Sequence, residues 1–282
     1  NIMCDLLPLD LGDFGSVRAF AGSFNRKFKR LDVLVNNAGM MTTGDDFVTE
    51  QDFERHTGVN FLGPVVLTEL LLPAIHAAKN SRVVNVSSAA HRLPTKSGFK
   101  CNELPALLSE INDLLPEDGP QPRLSGKGSG TGKAFLRYGL SKLCNIYFSH
   151  DLVQRSNKSV RSVCLHPGVV ATNFPLALVS ERFFNMFYYV SLLFLKTSEE
   201  GAQTTLHCCL CEDEELTSVP SSAAQQPVSG PKEGARYFVD CTNASSTMTP
   251  MAQDLLAGRR VMDWARRQLL RVEHENAVDV DD

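Results

Sequence analysis

The chain has 282 residues, 43% of them hydrophobic and 21% charged, with a formal net charge of −4. That is the balance of an ordinary globular protein with enough apolar material for a real core, and α/β folds of this length form single domains. No basic run stands out, so charge gives no support to nucleic-acid binding.

Short apolar runs alternate with helical patterns along the chain. Leu6–Leu11 reads as a strand, and Pro8 inside it restricts it to a sheet edge. Leu31–Val35 reads as a short buried strand that runs into Asn36-Asn37-Ala38-Gly39. Phe61–Ala78 has the pattern of a long helix with Pro64 near its start and Pro73 inside. Ser81–Val86 is the next strand, ending at Ser87-Ser88, and Tyr138–Val153 is an amphipathic helix. Val160–Leu165 is a strand leading into His166-Pro167-Gly168, Ala235–Val239 is a late strand, and Met251–Val272 is a final helix. Strand and helix in alternation predict βαβ units and a doubly wound parallel sheet, here as one domain over 1–282.

Two stretches break this rhythm. Asp118–Lys133 and Thr217–Gly234 are rich in Gly, Ser and Pro and read as surface insertions, the first extending back to Glu103. The glycines of Ser125–Lys133 do not form a Walker loop, because Gly132-Lys133 is followed by Ala134 and position 127 is lysine. Phe183–Leu195 is strongly apolar but too short to span a bilayer. Its alternatives are a lid over an apolar substrate, an interfacial helix making peripheral membrane contact, or plain core packing.

The eight cysteines are scattered and read as reduced thiols of an intracellular compartment. His207 with Cys208, Cys209 and Cys211 matches no standard zinc spacing, so no metal is expected and a helix end packed on the core is the simpler reading. Asn85-Val-Ser and Asn243-Ala-Ser match the glycosylation pattern, but Asn85 lies inside an apolar strand run.

Tyr138-Gly-Leu-Ser-Lys142 carries the chemistry. Tyrosine and lysine at i and i+4 share a helix face. A phenol with a pKa near 10 is a poor acid or base at neutral pH, and a neighbouring ammonium favours its phenolate. Such a pair makes a usable proton donor and acceptor. Taken singly the pair also fits a solvated helix face, Asn60 a helix cap, Ser87 and Ser88 a polar strand end, Thr172 a turn and Asp10 a surface turn. Their order is what distinguishes them. Asn36-Asn37-Ala38-Gly39 ends one strand, Asn60 opens a helix, Ser87-Ser88 ends the next strand, Tyr138 and Lys142 follow, and Pro167-Gly168-Val-Val-Ala-Thr172 closes the series.

In this ordered set the sequence resembles the classical short-chain dehydrogenase/reductase family over about residues 4–210 and 234–270. The resemblance implies a carbonyl/alcohol oxidoreductase in which Tyr138 exchanges a proton with the substrate oxygen. It implies that Lys142 lowers the Tyr138 pKa and binds the nicotinamide ribose, that Ser88 holds the substrate oxygen, and that Asn60 holds a water in the proton relay. Asn37, Ala38 and Gly39 would line the cofactor, Asp10 would meet its adenine, and Pro167, Gly168, Val170 and Thr172 would pack against the nicotinamide and its phosphates. The cofactor would carry the hydride, the protein supplying orientation and polarisation.

Several stretches are similar to the retinol dehydrogenase-like branch: Leu31-Asp-Val-Leu-Val-Asn-Asn-Ala-Gly, Arg82-Val-Val-Asn-Val-Ser-Ser-Ala-Ala-His, Leu165-His-Pro-Gly-Val-Val and Glu200-Gly-Ala-Gln-Thr. That branch implies a small lipophilic alcohol or aldehyde, NADP(H) in preference to NAD(H), and a cytoplasmic or membrane-face location. The sequence departs from the family in two respects. The stretch between Ser88 and Tyr138 is longer than usual. The glycine-rich loop after the family's first strand, which cradles the pyrophosphate, has no counterpart. The chain is therefore expected to lack the first βαβ unit and by itself to bind NAD(P)H weakly. Intact Ser88, Tyr138 and Lys142 favour an enzyme, while the missing loop favours an inactive fragment or a binding protein that kept the fold.

Overall fold

The computed structural model describes residues 4–42, 48–112, 131–156, 159–170, 195–217 and 234–278. Within them five strands form one sheet: β1 Val33–Asn36, β2 Arg82–Val86, β3 Arg161–His166, β4 Arg236–Val239 and β5 Thr242–Asn243, in that spatial order. The first four are parallel, with Asn36 opposite Asn85 and Leu165 opposite Val86. This register brings the carboxyl ends of β1, β2 and β3 to one edge, where open α/β sheets bind ligands. β5 folds back antiparallel on β4 through Asp240 and Cys241, both at positive φ.

Each central strand feeds two cores. Val83, Cys164 and Tyr237 point to one face and join the large core, while Val84, Val86, Val163, Leu165 and Phe238 point to the other. This period-two alternation of apolar side chains on both sides is what a sheet covered on both faces requires. The first face is covered by the helices α3 (Gly63–His76) and α6 (Thr131–Arg155), with α1 (Phe14–Lys27) packed on α3 and α10 (Leu255–Val278) packed on α6. The second is covered by α7 (Ser198–Leu210) and α8 (Asp213–Thr217), whose Cys208 and Leu216 join its core. The other α-helices among the described residues are α2 (Arg55–Thr57), α4 (Leu93–Lys96), α5 (Leu104–Asn112) and α9 (Pro250–Gln253). The stretch Arg55–His76 is apolar and long enough to cross a membrane by composition, but it lies largely inside the protein as a core helix.

Three expectations are corrected. Leu6–Leu11 is not a strand: residues 4–10 are irregular and Leu11 is a buried turn residue before α1. Among the described residues β1 pairs only with β2, and without a ladder partner an apolar run containing Pro8 has nothing to hold it extended. The stretch from Glu103 is not wholly an insertion, since α5 buries Leu104, Leu107, Leu108 and Ile111 in the main core. Its last residue Asn112 accepts a hydrogen bond from the Glu54 backbone at 2.9 Å, and Ser109 accepts one from the Trp264 indole at 2.8 Å. Thr131–Lys133 likewise form the start of α6. Residues 113–130, 218–233, Thr172 and 183–194 of the apolar stretch lie outside the described residues.

Candidate active site

α6 carries Tyr138 and Lys142 and is buried on every side from Arg137 to Leu152. A helix buried all round belongs in a core even where, as here, it carries polar side chains, and this one lies between β2 and β3, the final helix and the turn that follows β2. Gly139 explains the last contact. A Cβ there would stand 2.6 Å from the Ala90 carbonyl oxygen and 3.0 Å from Leu93 Cβ, so only glycine admits the 89–93 turn beside Tyr138.

That turn begins with Ser88, which caps it by accepting a hydrogen bond from Ala90 N at 3.2 Å. The two serines have different surroundings. Ser87 is buried and donates to the Lys142 carbonyl at 2.7 Å, which commits it to holding β2 on α6. Ser88 faces the cavity and hydrogen-bonds the Tyr138 side chain.

Lys142 is 4% exposed and donates to the Val86 carbonyl at 3.0 Å, while its Nζ lies 5.7 Å from the Tyr138 ring centroid. Burial pushes its pKa down to about 8. Burial also raises the Tyr138 pKa, against an opposing hydrogen bond from Ser88. The expected lowering of Tyr138 by Lys142 is thus not what the geometry gives. Desolvation of the phenolate dominates, and the ammonium is turned to a backbone carbonyl. Tyr138 is accordingly held as a phenol, a proton donor.

Asn60 sits in a π-helical turn, Gly58–Leu62, a local distortion common at functional sites. Its amide is fully engaged: Met40 N donates to Oδ1 at 2.7 Å, and Nδ2 donates to Met40 O at 2.9 Å and to Ser141 Oγ at 3.1 Å. Asn60 therefore clamps the segment after Gly39 to α6. One turn earlier His56 Nε2 accepts from Thr42 N at 3.1 Å, which assigns the ring proton to Nδ1, 2.6 Å from Glu54 Oε1. Glu54 also accepts from Thr57 N and Oγ1 and lies 3.4 Å from Arg137 Nε. Burial raises the Glu54 carboxyl, but His56, Thr57 and Arg137 together outweigh it and hold the group below the usual carboxylate range. The His56 ring meets the Tyr138 ring edge-on, 6.3 Å between centroids. This network lies directly behind the tyrosine, and the sequence reading missed it.

Asn37, Gly39, Ser88, Tyr138, Lys142, Pro167, Gly168 and Val170 line one cavity of about 580 Å³, and α7 closes it with Gly201 and Leu206 among others. His166, also missed, lines it too, with a buried Nδ1 that has no hydrogen-bond partner. Ala38 and Asp10 are not among the lining residues. Asp10 sits in the turn before α1, where its Oδ1 accepts from Gly12 N at 2.7 Å. The cavity suits the nicotinamide half of an NAD(P)(H) dinucleotide. A Cβ at Gly39 would fill the wall, 3.0 Å from Lys142 Nζ and 3.2 Å from Asn60 Oδ1, and Asn37, Ser88, Tyr138, Lys142 and His166 are polar members of a pocket that is otherwise largely apolar. No described segment is a glycine-rich pyrophosphate cradle.

Comparison with known proteins agrees with this geometry. Residues 2–99 match the short chain dehydrogenase family. The chain is 36% identical to human retinol dehydrogenase 11 over 211 residues, covering 74% of this chain and 57% of the relative. It is 34% identical to human retinol dehydrogenase 14 over 260 residues, covering 90% and 63%. The chain thus spans about three fifths of the length of these curated relatives. An uncharacterised protein of Mycobacterium paratuberculosis shares the fold, with a TM-score of 0.54 at 24% identity over 92% of this chain and 73% of that one. With Ser88, Tyr138 and Lys142 gathered at the carboxyl edge of a parallel sheet, the chain is similar to the short chain dehydrogenase family over residues 2–99 and to retinol dehydrogenases over most of its length.

Proposed function

We propose that the protein is a nicotinamide-dependent oxidoreductase that interconverts a carbonyl and an alcohol on a small lipophilic substrate of the retinoid, steroid or lipid-aldehyde kind, with NADP(H) preferred. The observation that carries the reading is the shared cavity of Tyr138, Ser88 and Lys142. The apolar wall of Val35, Val86, Val170 and Leu206 supports a lipophilic substrate, as does the likeness to retinol dehydrogenases. The eight free cysteines support an intracellular location. The preference for NADP(H) rests on the resemblance to that branch.

When bound, the nicotinamide cofactor supplies or accepts the hydride. Tyr138, kept protonated by its burial, gives its phenolic proton to the carbonyl oxygen during reduction. Ser88 hydrogen-bonds the same oxygen and holds it within reach of Tyr138. Lys142, tied to the Val86 carbonyl, places a positive charge at the inner wall of the pocket beside Gly39, where it would hold the cofactor's ribose. Asn37, Gly39 and Pro167–Val170 shape the pocket and exclude water from it, while Asn60 fixes the wall after Gly39.

The test is NADPH oxidation in the presence of a lipophilic aldehyde such as retinal. In a longer form of the protein that carries a glycine-rich pyrophosphate loop, Tyr138→Phe is expected to lower turnover by about 10²–10⁴-fold while NADPH binding, read by fluorescence, survives. Turnover in the variant within a few-fold of the parent would overturn the assignment.

A further inference from the structure

The edge of the sheet opposite the cavity holds a second cluster of reactive side chains. His207 lies in the last turn of α7, and Cys211 follows one turn later as its cap, its backbone N donating to His207 O at 2.8 Å. Glu215 enters from α8. His207 Nε2 is 2.7 Å from Glu215 Oε1, and the imidazole, thiol and carboxylate donor atoms all lie within 4.8 Å of one another. Nothing in the proposed chemistry uses these groups.

We propose that His207, Cys211 and Glu215 form a site for a divalent metal ion of the zinc type. In a tetrahedral zinc site, with bonds of about 2.0–2.3 Å, neighbouring donor atoms stand roughly 3.5 Å apart. To reach that spacing the His207–Glu215 pair, now 2.7 Å apart, opens by somewhat under about an ångström while the widest donor separation, within 4.8 Å, closes by about an ångström. Their exposure allows this, since the His207 and Glu215 side chains are 23% and 41% exposed, and a water can take the fourth position. The donor set selects the ion. A thiolate with an imidazole suits zinc, whereas magnesium and calcium require oxygen donors. Binding exchanges a proton for a metal–sulfur bond: the Cys211 thiol releases H⁺ to solvent as its sulfur takes the ion, and His207 keeps its other ring proton on Nδ1.

The surroundings hold the donors in place. The His207 ring is packed against Phe238, 5.7 Å between centroids. Arg82, the first residue of β2, donates to the carbonyls of Cys208 and Cys211 and so fixes the turn between α7 and α8. Its Nη1 lies 3.9 Å from Cys211 Sγ, where it opposes the burial and the Glu215 carboxylate that together raise the thiol, and Asp213 pairs with both Arg82 and Arg161, so the ion itself must draw off the thiol proton. Arg82 and Arg161 begin β2 and β3, so the site is at the far end of the strands from Ser88 and Tyr138. The ion would staple α7 to α8 and take no part in turnover.

The experiment titrates reduced, metal-free protein with Co²⁺. One equivalent is expected to produce a near-ultraviolet thiolate-to-cobalt band with the visible bands of a four-coordinate ion, and Zn²⁺ should displace both. Cys211→Ser should abolish the thiolate band, and His207→Ala and Glu215→Gln should each weaken binding at least about tenfold. Cys209→Ser should leave it unchanged. Zn²⁺ at saturation should raise the Tm of the parent by several degrees and leave that of Cys211→Ser where it was. Circular dichroism of the metal-free variants separates lost ligands from lost fold. Absence of the thiolate band in the parent, or its survival in Cys211→Ser, overturns the proposal.

Discussion

Replacing Gly139 by alanine sets two effects of known size against each other. In the interior of a helix alanine is favoured over glycine by about 1 kcal/mol. At Gly139 the added methyl would stand 2.6 Å from a backbone oxygen, a distance that real Cβ atoms do not keep, and 3.0 Å from Leu93 Cβ, a tight contact. Neither neighbour is the free end of a flexible side chain, so α6 and the 89–93 turn must separate. Overpacking of this kind costs about 1–3 kcal/mol, which exceeds the helix gain. The expected net loss is up to about 2 kcal/mol, or a fall in Tm of up to roughly 8 °C for a domain of this size. Gly132 supplies the control, being in the same helix with nothing within 4 Å of its would-be Cβ. Gly132→Ala should hold or raise the Tm. Thermal melts of the three proteins by circular dichroism decide the matter, and a Gly139→Ala protein as stable as Gly132→Ala would refute the reasoning.

Three further outcomes follow from buried groups. Leu108→Ala should destabilise by about 2–5 kcal/mol in urea unfolding, because α5 is core; a change under 0.5 kcal/mol would return it to the surface. Lys142, with a folded pKa of about 8 against an ordinary value of 10.5, is more protonated in the unfolded chain between those values, so its burial penalty is relieved as pH rises through that window. The parent should therefore gain up to about 3 kcal/mol on Lys142→Met between pH 8 and pH 10.5. A pH-independent difference would contradict this. His150 accepts from Ala235 N at 2.9 Å and lies 3.0 Å from Ala252 O, with burial lowering its pKa to about 4. The unfolded chain takes up its proton first, so this contribution is present above pH 6.5 and lost as pH falls towards 4. In an acid titration His150→Asn should have a shallower fall in stability than the parent.

Much of the site could be read along the chain because its residues lie at strand ends and on one helix face. Tyr138 and Lys142 share a face by spacing alone, and the carboxyl edge of a parallel sheet gathers Asn37, Ser88 and Pro167 regardless of loop length. The fold fails to be legible where tertiary contact decides. Glu54, His56 and Arg137 meet only after folding, and no local pattern marks a buried carboxylate. His166 was passed over as part of a turn motif. The misreading of α5 has a different cause: Leu104, Leu107, Leu108 and Ile111 fall at i, i+3, i+4 and i+7, the spacing of a buried helix face, but glycine and proline nearby drew the whole stretch into a loop. Leu6–Leu11 had the composition of a strand, and the missing ladder partner is invisible in composition.

The carboxylate of Glu54 also bears on how this protein can change over generations. It faces a histidine and an arginine that are 1% and 4% exposed, and removing one member of a buried charged set strands the others at a cost of about 3–5 kcal/mol, comparable with much of a domain's stability. A lineage carrying it cannot drift at positions 54, 56 and 137 independently, since each single step passes through a poorly folded intermediate. Replacement of all three by apolar residues would be tolerated by the fold, yet it lies several uphill substitutions away. The wall at Met40–Thr42 and the helix bearing Tyr138 thereby inherit a common anchor, and pockets for new substrates can arise around them only by changes elsewhere in the lining.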